Sequence, residues 1–169
     1  MAVTYDPNQE EAAVALLNTR LRDIASWGER WQVRFAPHKT QLMLITRSAT
    51  EMHLNFNGKV ICTQNEIEIL GVTYDSKLQY KTHIENVARK ASAKLTSMRR
   101  MSWLLNKKGK EVLYKAQVRS AMEYSMLAWG GAANIHLKLL DKVQRRAIRM
   151  IEDNSPFLDK IQAWKSTAP

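Results

Sequence analysis

Apolar and polar positions change their period at one place in this chain. From Ile67 to Tyr74 they alternate, with Ile67, Ile69 and Val72 offered to one side of a β-rich stretch, the pattern of a half-buried strand. Past the turn-forming pair Asp75-Ser76 the spacing goes over to three and four, starting at Ile84. The chain before this joint predicts a helix followed by short strands. The chain after it predicts helices.

The first helix opens at Asp6-Pro7, a capping residue followed by proline at the first helical position, with Glu10 and Glu11 facing the positive end of the dipole. Val14, Leu17, Leu21, Ile24 and Trp31 keep helical spacing and predict one long buried stripe, flanked by Trp27. Both tryptophans are expected as core anchors, and Pro37 closes the helical region. Thr40 to Thr46, with Leu42, Met43, Leu44 and Ile45 in a row, predicts a strand buried on both faces. His53 to Phe56, Asn57-Gly58 and Lys59 to Cys62 predict a hairpin, because Asn-Gly accepts the positive φ angles of a two-residue turn. Cys62 is expected there as a small packing residue.

Beyond the joint, Ile84, Val87, Ala88, Ala91, Leu95, Met98 and Leu105 share one helical face, and Arg89, Lys90 and Arg100 point away from it. Asn106 to Gly109 is a polar break. A second helix, about Lys110 to Trp129, ends in a nearly continuous apolar run expected to be buried on several sides. Arg119 and Glu123 lie four apart in it and are placed to pair, and Gly130-Gly131 stops it. The third helix, about Asn134 to Ile151, has the clearest pattern. Leu140, Val143, Ala147 and Ile151 share one side, and Lys138, Lys142, Arg145 and Arg149 the other. A short turn of helix is expected after Ser155. The fold class is therefore α+β: a long helix on a small, mostly antiparallel sheet, followed by a helical bundle. The predicted divisions are 1–76, 77–153 and a tail, 154–169.

Composition adds two constraints. The 169 residues are 45% hydrophobic, enough for one ordinary core or two small ones. Cys62 is the single cysteine, so no disulfide framework can form within the chain. The N-terminus has no basic leader followed by an apolar run. Tyr124 to Ala133, the longest weakly charged stretch, falls short of the roughly 20 residues a membrane helix needs. A soluble intracellular protein with no membrane partner is expected, its compartment left open between nucleus and cytoplasm.

Charge changes the picture more. Residues 1–76 balance to −2, whereas residues 77–149 carry 17 Lys/Arg against four acids, a balance of +13. An excess of this size confined to one helical block is the footprint of a polyanion-binding surface. On the third helix, four like charges at i, i+4, i+7 and i+11 repel by a few tenths of a kcal/mol per pair, a cost that a phosphate backbone would relieve.

Most catalytic signatures are missing. His38, His53, His83 and His136 are scattered and have no ligand spacing with Cys62. The glycines form neither a phosphate loop nor a dinucleotide fingerprint, and there is no Gly-x-Ser-x-Gly. The predicted strands offer no carboxylate cluster for two-metal phosphoryl transfer.

The order of short motifs is distinctive. Trp27-x-x-x-Trp31, Pro37-x-Lys39-Thr40, Ile69-Leu70-Gly71-Val72-x-x-Asp75, His83-Ile84, Tyr114-Lys115-x-x-Val118, Glu123-Tyr124, Trp129, and Leu140 with Arg146 and Arg149 follow one another at characteristic spacing. This order resembles the C-terminal part of reverse transcriptases from jockey-like non-LTR retrotransposons, over roughly residues 10 to 151. The resemblance implies the end of a palm followed by a thumb. It places Lys39 near the incoming nucleotide, and Leu70, Gly71 and Val72 in the strand pair that holds the primer terminus. It also implies a thumb that clamps template–primer duplex, with Arg89, Lys90, Arg100, Lys138, Lys142, Arg145 and Arg149 as backbone contacts. Ala36 stands where the family has asparagine. The paired aspartates that hold Mg²⁺ in the full-length family would precede this segment, so no cofactor and no polymerase activity are expected of the chain alone. Two other readings are carried beside duplex binding. One is a part of a longer or complemented RNA-directed DNA polymerase. The other is a retrotransposon remnant or helical module that self-associates through exposed apolar faces.

Overall fold

The computed structural model describes residues 1–46 and 51–153; the turn of helix expected after Ser155 lies outside them. The architecture is α+β, as the patterning predicts, with two small two-stranded sheets and a long helical C-terminal region. The chain divides into two compact units, residues 1–69 with 74–78, and residues 70–73 with those from Gln79 onward.

In the first unit the Asp6 carboxylate accepts from the Asn8 N–H at 3.1 Å, and a 3₁₀ turn, Pro7–Gln9, leads into α1, Glu10–Arg30. The expected stripe faces inward: Val14, Leu17, Leu21 and Ile24 are half-buried and Ala13 is buried. The two tryptophans are not core anchors. Trp27 is 52% and Trp31 64% exposed. The reason lies at Gly28, where the chain turns back closely enough for the Val33 N–H to donate to the Gly28 carbonyl at 2.8 Å. A Cβ on Gly28 would stand 2.7 Å from the Phe35 ring and 2.8 Å from the Val33 carbonyl oxygen. That return brings Phe35 to Phe56, with ring centroids 5.9 Å apart, and Trp27 only flanks the pair.

The Thr40–Thr46 stretch is not a strand. Pro37–Lys39 is a 3₁₀ turn, and the run that follows makes one parallel bridge, Leu42 to Thr63, while Ile45 is 63% exposed. A short apolar run does not by itself separate strand from irregular chain, and here no ladder extends the bridge. The hairpin forms as expected from β1, His53–Phe56, and β2, Lys59–Cys62, antiparallel and in register from His53–Cys62 to Phe56–Lys59. Asn57 (φ 49°) and Gly58 (φ 75°) supply the two left-handed residues of the turn. Leu54, Phe56 and Ile61 point into the core. Strand alternation therefore puts Cys62 on the outer face beside His53, so it is an exposed thiol and not a packing residue. Asn18 on α1 accepts from the Asn55 N–H at 2.9 Å, tying the helix to the hairpin.

The stretch from Ile67 to Tyr74 is two strands, β3, Glu66–Ile69, and β4, Val72–Asp75, which pair with each other. Leu70 (φ 50°) and Gly71 (φ 81°) form a second two-residue turn between them. Glycine takes that conformation freely; a leucine there is strained by about 1–3 kcal/mol.

In the second unit α2 spans Lys81–Arg100, and the Asn106 side chain caps α3, Lys107–Leu113, accepting from the Gly109 N–H at 2.8 Å. Asn106 to Gly109 is thus the beginning of a helix. The single helix expected from Lys110 to Trp129 is broken. After α3 come a π-helical segment, Tyr114–Arg119, then α4, Ser120–Glu123, and α5, Met126–Trp129, with Ser125 at φ 52° between the last two. Its apolar end is not buried on several sides either, since Trp129 is 2% exposed but Met126 is 51% exposed and Leu127 entirely so. The break is explained by partners. Trp129 turns in against His83 and donates its indole N–H to the Tyr124 carbonyl at 2.9 Å, which an unbroken helix could not allow. α6, Asn134–Glu152, matches its pattern closely. Ala91, Leu95 and Met98 of α2 pack with Tyr114, Val118, Met122, Val143 and Ala147 in one cluster, so α2 and α6 meet along their apolar stripes.

Candidate nucleic-acid interface

The same periodicity that buries Val143 and Ala147 turns Lys138, Lys142, Arg145 and Arg149 outward, and all four are exposed. Arg89, Lys90 and Arg100 on α2 are exposed as well. Among the described residues only two ion pairs form, Lys115 with Glu111 and Arg119 with Glu123, each at 2.6 Å along one turn of helix. The hydrogen bond from Lys115, reinforced by its charge, holds the Glu111 carboxyl below its ordinary value; Glu123 correspondingly raises the Arg119 guanidinium. Neither pair uses a cation of α2 or α6. Arg89 donates to the neutral Asn86 amide at 2.9 Å, and Arg145 reaches the Asp141 backbone carbonyl at 3.4 Å. The basic charge of these two helices is thus left uncompensated by carboxylates among the described residues.

One lysine behaves differently. Lys110 is 1% exposed, and its ammonium donates to the backbone carbonyls of Met150, at 3.4 Å, and Asp153. It caps the end of α6, where the terminal carbonyls have no helical donors and the dipole favours a cation. Beside it the C-terminal halves of α2 and α6 enclose a groove of about 460 Å³ into which Arg99, Arg146 and Arg149 project. Sequence reading singles out Arg149 as a binding residue but passes over Arg99 and Arg146. Arg99 follows Leu95 by four and Arg146 follows Val143 by three, so both sit on the shoulder of a buried stripe, the one available signal for them.

Leu70, Gly71 and Val72 divide their tasks. Val72 is 2% exposed and serves the core, whereas Leu70 is 86% exposed at the tip of the turn. The Tyr124 hydroxyl donates to the Leu70 carbonyl at 3.0 Å, and its ring stands 3.5 Å from where a Gly71 Cβ would be, so this tyrosine braces the strained turn. Behind it His83, 3% exposed, accepts the Thr73 N–H on Nδ1 at 3.2 Å. Lys39 is exposed at the end of its 3₁₀ turn in the first unit. Among the described residues no three His, Cys, Asp or Glu side chains gather as a metal site, and no helix is long and apolar enough to cross a membrane.

By sequence, the chain is similar to RNA-directed DNA polymerases of jockey-like mobile elements, in agreement with the motif order. It is 27% identical over 162 residues to a probable RNA-directed DNA polymerase from transposon BS of Drosophila melanogaster, covering 90% of this chain and 18% of that protein. It is 29% identical over 147 residues to the RNA-directed DNA polymerase from mobile element jockey of the same fly, covering 83% of this chain and 16% of the relative. A probable polymerase from transposon X-element is 23% identical over 158 residues, covering 89% and 17%. The chain therefore spans less than a fifth of the length of the curated relatives it matches. No protein-family profile matches it, and no solved structure does.

Proposed function

We propose that this reverse-transcriptase-like chain binds nucleic-acid duplex through its sugar-phosphate backbone, without reading sequence, using the exposed cations of α2 and α6. The observation that carries this reading is the charge of those helices: a block balancing to +13 whose α2 and α6 cations meet no carboxylate among the described residues. Backbone contacts position a protein on duplex but discriminate little between bases. The relatives, named as RNA-directed DNA polymerases, supply the class of partner, a template–primer duplex.

We assign the chain binding and not nucleotide transfer. Transfer of this kind uses metal ions held by clustered carboxylates, and the described residues do not provide that donor set, so no catalytic step is derived. The small share of the relatives' length supports a second reading, in which the same segment acts inside a longer or complemented polymerase. Fluorescence anisotropy of a labelled RNA–DNA duplex tests the binding reading. Expected is affinity that falls steeply with salt, log K changing by about 0.9 per log unit of salt for each phosphate neutralised on B-DNA, and equally for unrelated sequences. Absence of binding at low salt overturns it. A primer-extension assay is expected to show no incorporation by this chain alone.

A further inference from the structure

We propose that the groove between the C-terminal halves of α2 and α6 is a phosphate seat. In it the guanidinium groups of Arg99, Arg146 and Arg149 take neighbouring phosphodiester groups of one strand. This rests on the duplex-binding reading above and names the place where the strand is held.

The groove is lined by these arginines together with Ser92, Leu95, Thr96, Ser102, Lys110, Met150 and Asp153. Its volume lies within the roughly 300–1,000 Å³ of ordinary ligand sites. An alternative explanation is that the arginines only complement the negative ends of two helices. For α6 that task is already done by the buried Lys110 ammonium, which donates to the terminal carbonyls. Arg146 and Arg149 therefore remain in excess of what the helix end requires. Two hydroxyls in the lining are also occupied: Thr96 donates to the Ser92 carbonyl at 3.0 Å and Ser102 to the Arg99 carbonyl at 2.8 Å. The donors left to a ligand are thus forked guanidiniums, which match phosphate oxygens in pairs. Set in a concavity walled in part by Leu95 and Met150, their field is focused more than that of the same charges on an open helix face.

The test compares two full-chain variants that lose the same charge. One carries Arg99→Gln, Arg146→Gln and Arg149→Gln in the groove. The other carries Lys138→Gln, Lys142→Gln and Arg145→Gln on the open stripe. All six positions are exposed, and unchanged circular dichroism and Tm confirm folding. Duplex binding across a salt series is expected to weaken about tenfold more in the groove variant, and its salt slope to fall by about 2–3, since each lost phosphate contact removes about 0.9. A third variant, Arg99→Lys, Arg146→Lys and Arg149→Lys, keeps the charge and is expected to lose several-fold in affinity with its slope retained. Equal losses in the two glutamine variants, or a lysine variant that binds like the parent, overturn the seat and leave duplex binding standing. Tripolyphosphate followed by NMR of the arginine Nε–H signals separates a nucleic-acid strand from free polyphosphate. If it shifts the groove arginines while the parent chain binds no duplex, the seat stands and the duplex reading falls. If neither ligand binds, both fall.

Discussion

The first unit buries five hydrophobic side chains, Ala13, Met52, Leu54, Phe56 and Ile61; the second buries twelve, from Val72 to Ala147. In the first, one helix lies on one hairpin, and α1 leaves Leu16 and Trp27, with Trp31 just past its end, at the surface. In the second, α2 and α6 share a continuous cluster to which the intervening segments add Tyr114, Val118 and Met122. The surfaces differ in the same sense, the first unit being nearly neutral in charge and the second strongly basic. A rigid, well-filled core can hold cations at fixed positions against their mutual repulsion, and a thin one cannot. The teaching of the contrast is that charge is concentrated where packing can carry it.

The sharpest way to break this comparison is at Trp129. Truncation by Trp129→Ala removes a 2% exposed ring and its hydrogen bond to Tyr124, and is expected to cost the second unit about 3–5 kcal/mol. Hydrogen exchange should show lost protection in α2 and α6 and little change in the β1–β2 hairpin; uniform loss would mean the two units share one stability. In the first unit the corresponding weak point is a backbone approach. Gly28→Ala forces a methyl against Phe35 and the Val33 carbonyl, with an expected cost of about 1–3 kcal/mol in urea unfolding. A neutral substitution would show that the return after α1 is loose. The smallest effect sharpens the surface side of the contrast. Glu111 has a folded pKa below its unfolded value, so the stability it contributes is present above the ordinary 4.5 and is lost as pH falls through the lowered folded value. Both partners are about half exposed, so the loss should be slight, vanish at high salt, and be absent in Lys115→Gln when Tm is followed from pH 6 to pH 3.

Much of the molecule is legible in the sequence where local chemistry decides the outcome. Asn57-Gly58 dictates its turn, Asp6-Pro7 starts α1, and the apolar period of α6 fixes both its buried side and its cationic one. Where partners distant in sequence decide, the pattern misleads. The run ending at Trp129 looks like one helix because nothing local announces that Tyr124 will bond the Leu70 carbonyl or that Trp129 will pack on His83. The Leu70-Gly71 turn is hidden because a leucine in a left-handed conformation defies its own preference. The candidate site divides in the same way. Exposed cations on α2 and α6 follow from helical spacing, whereas the meeting of Arg99 with Arg146 and Arg149 depends on two helices docking, which a single-helix projection does not contain.

The π-helical segment Tyr114–Arg119 has a consequence for how this chain tolerates change in length. Wider winding accommodates an additional residue per turn, and such segments are commonly single-turn bulges within otherwise regular helices. Excising one residue between Tyr114 and Arg119 would let the winding tighten to the ordinary form at little local cost. It would also swing everything downstream by about 100°, carrying Met122 out of the cluster and pulling the Tyr124 hydroxyl off the β3–β4 turn. Amino-acid replacements here should be absorbed far more readily than a one-codon deletion, which would leave the helix intact and its bearings lost.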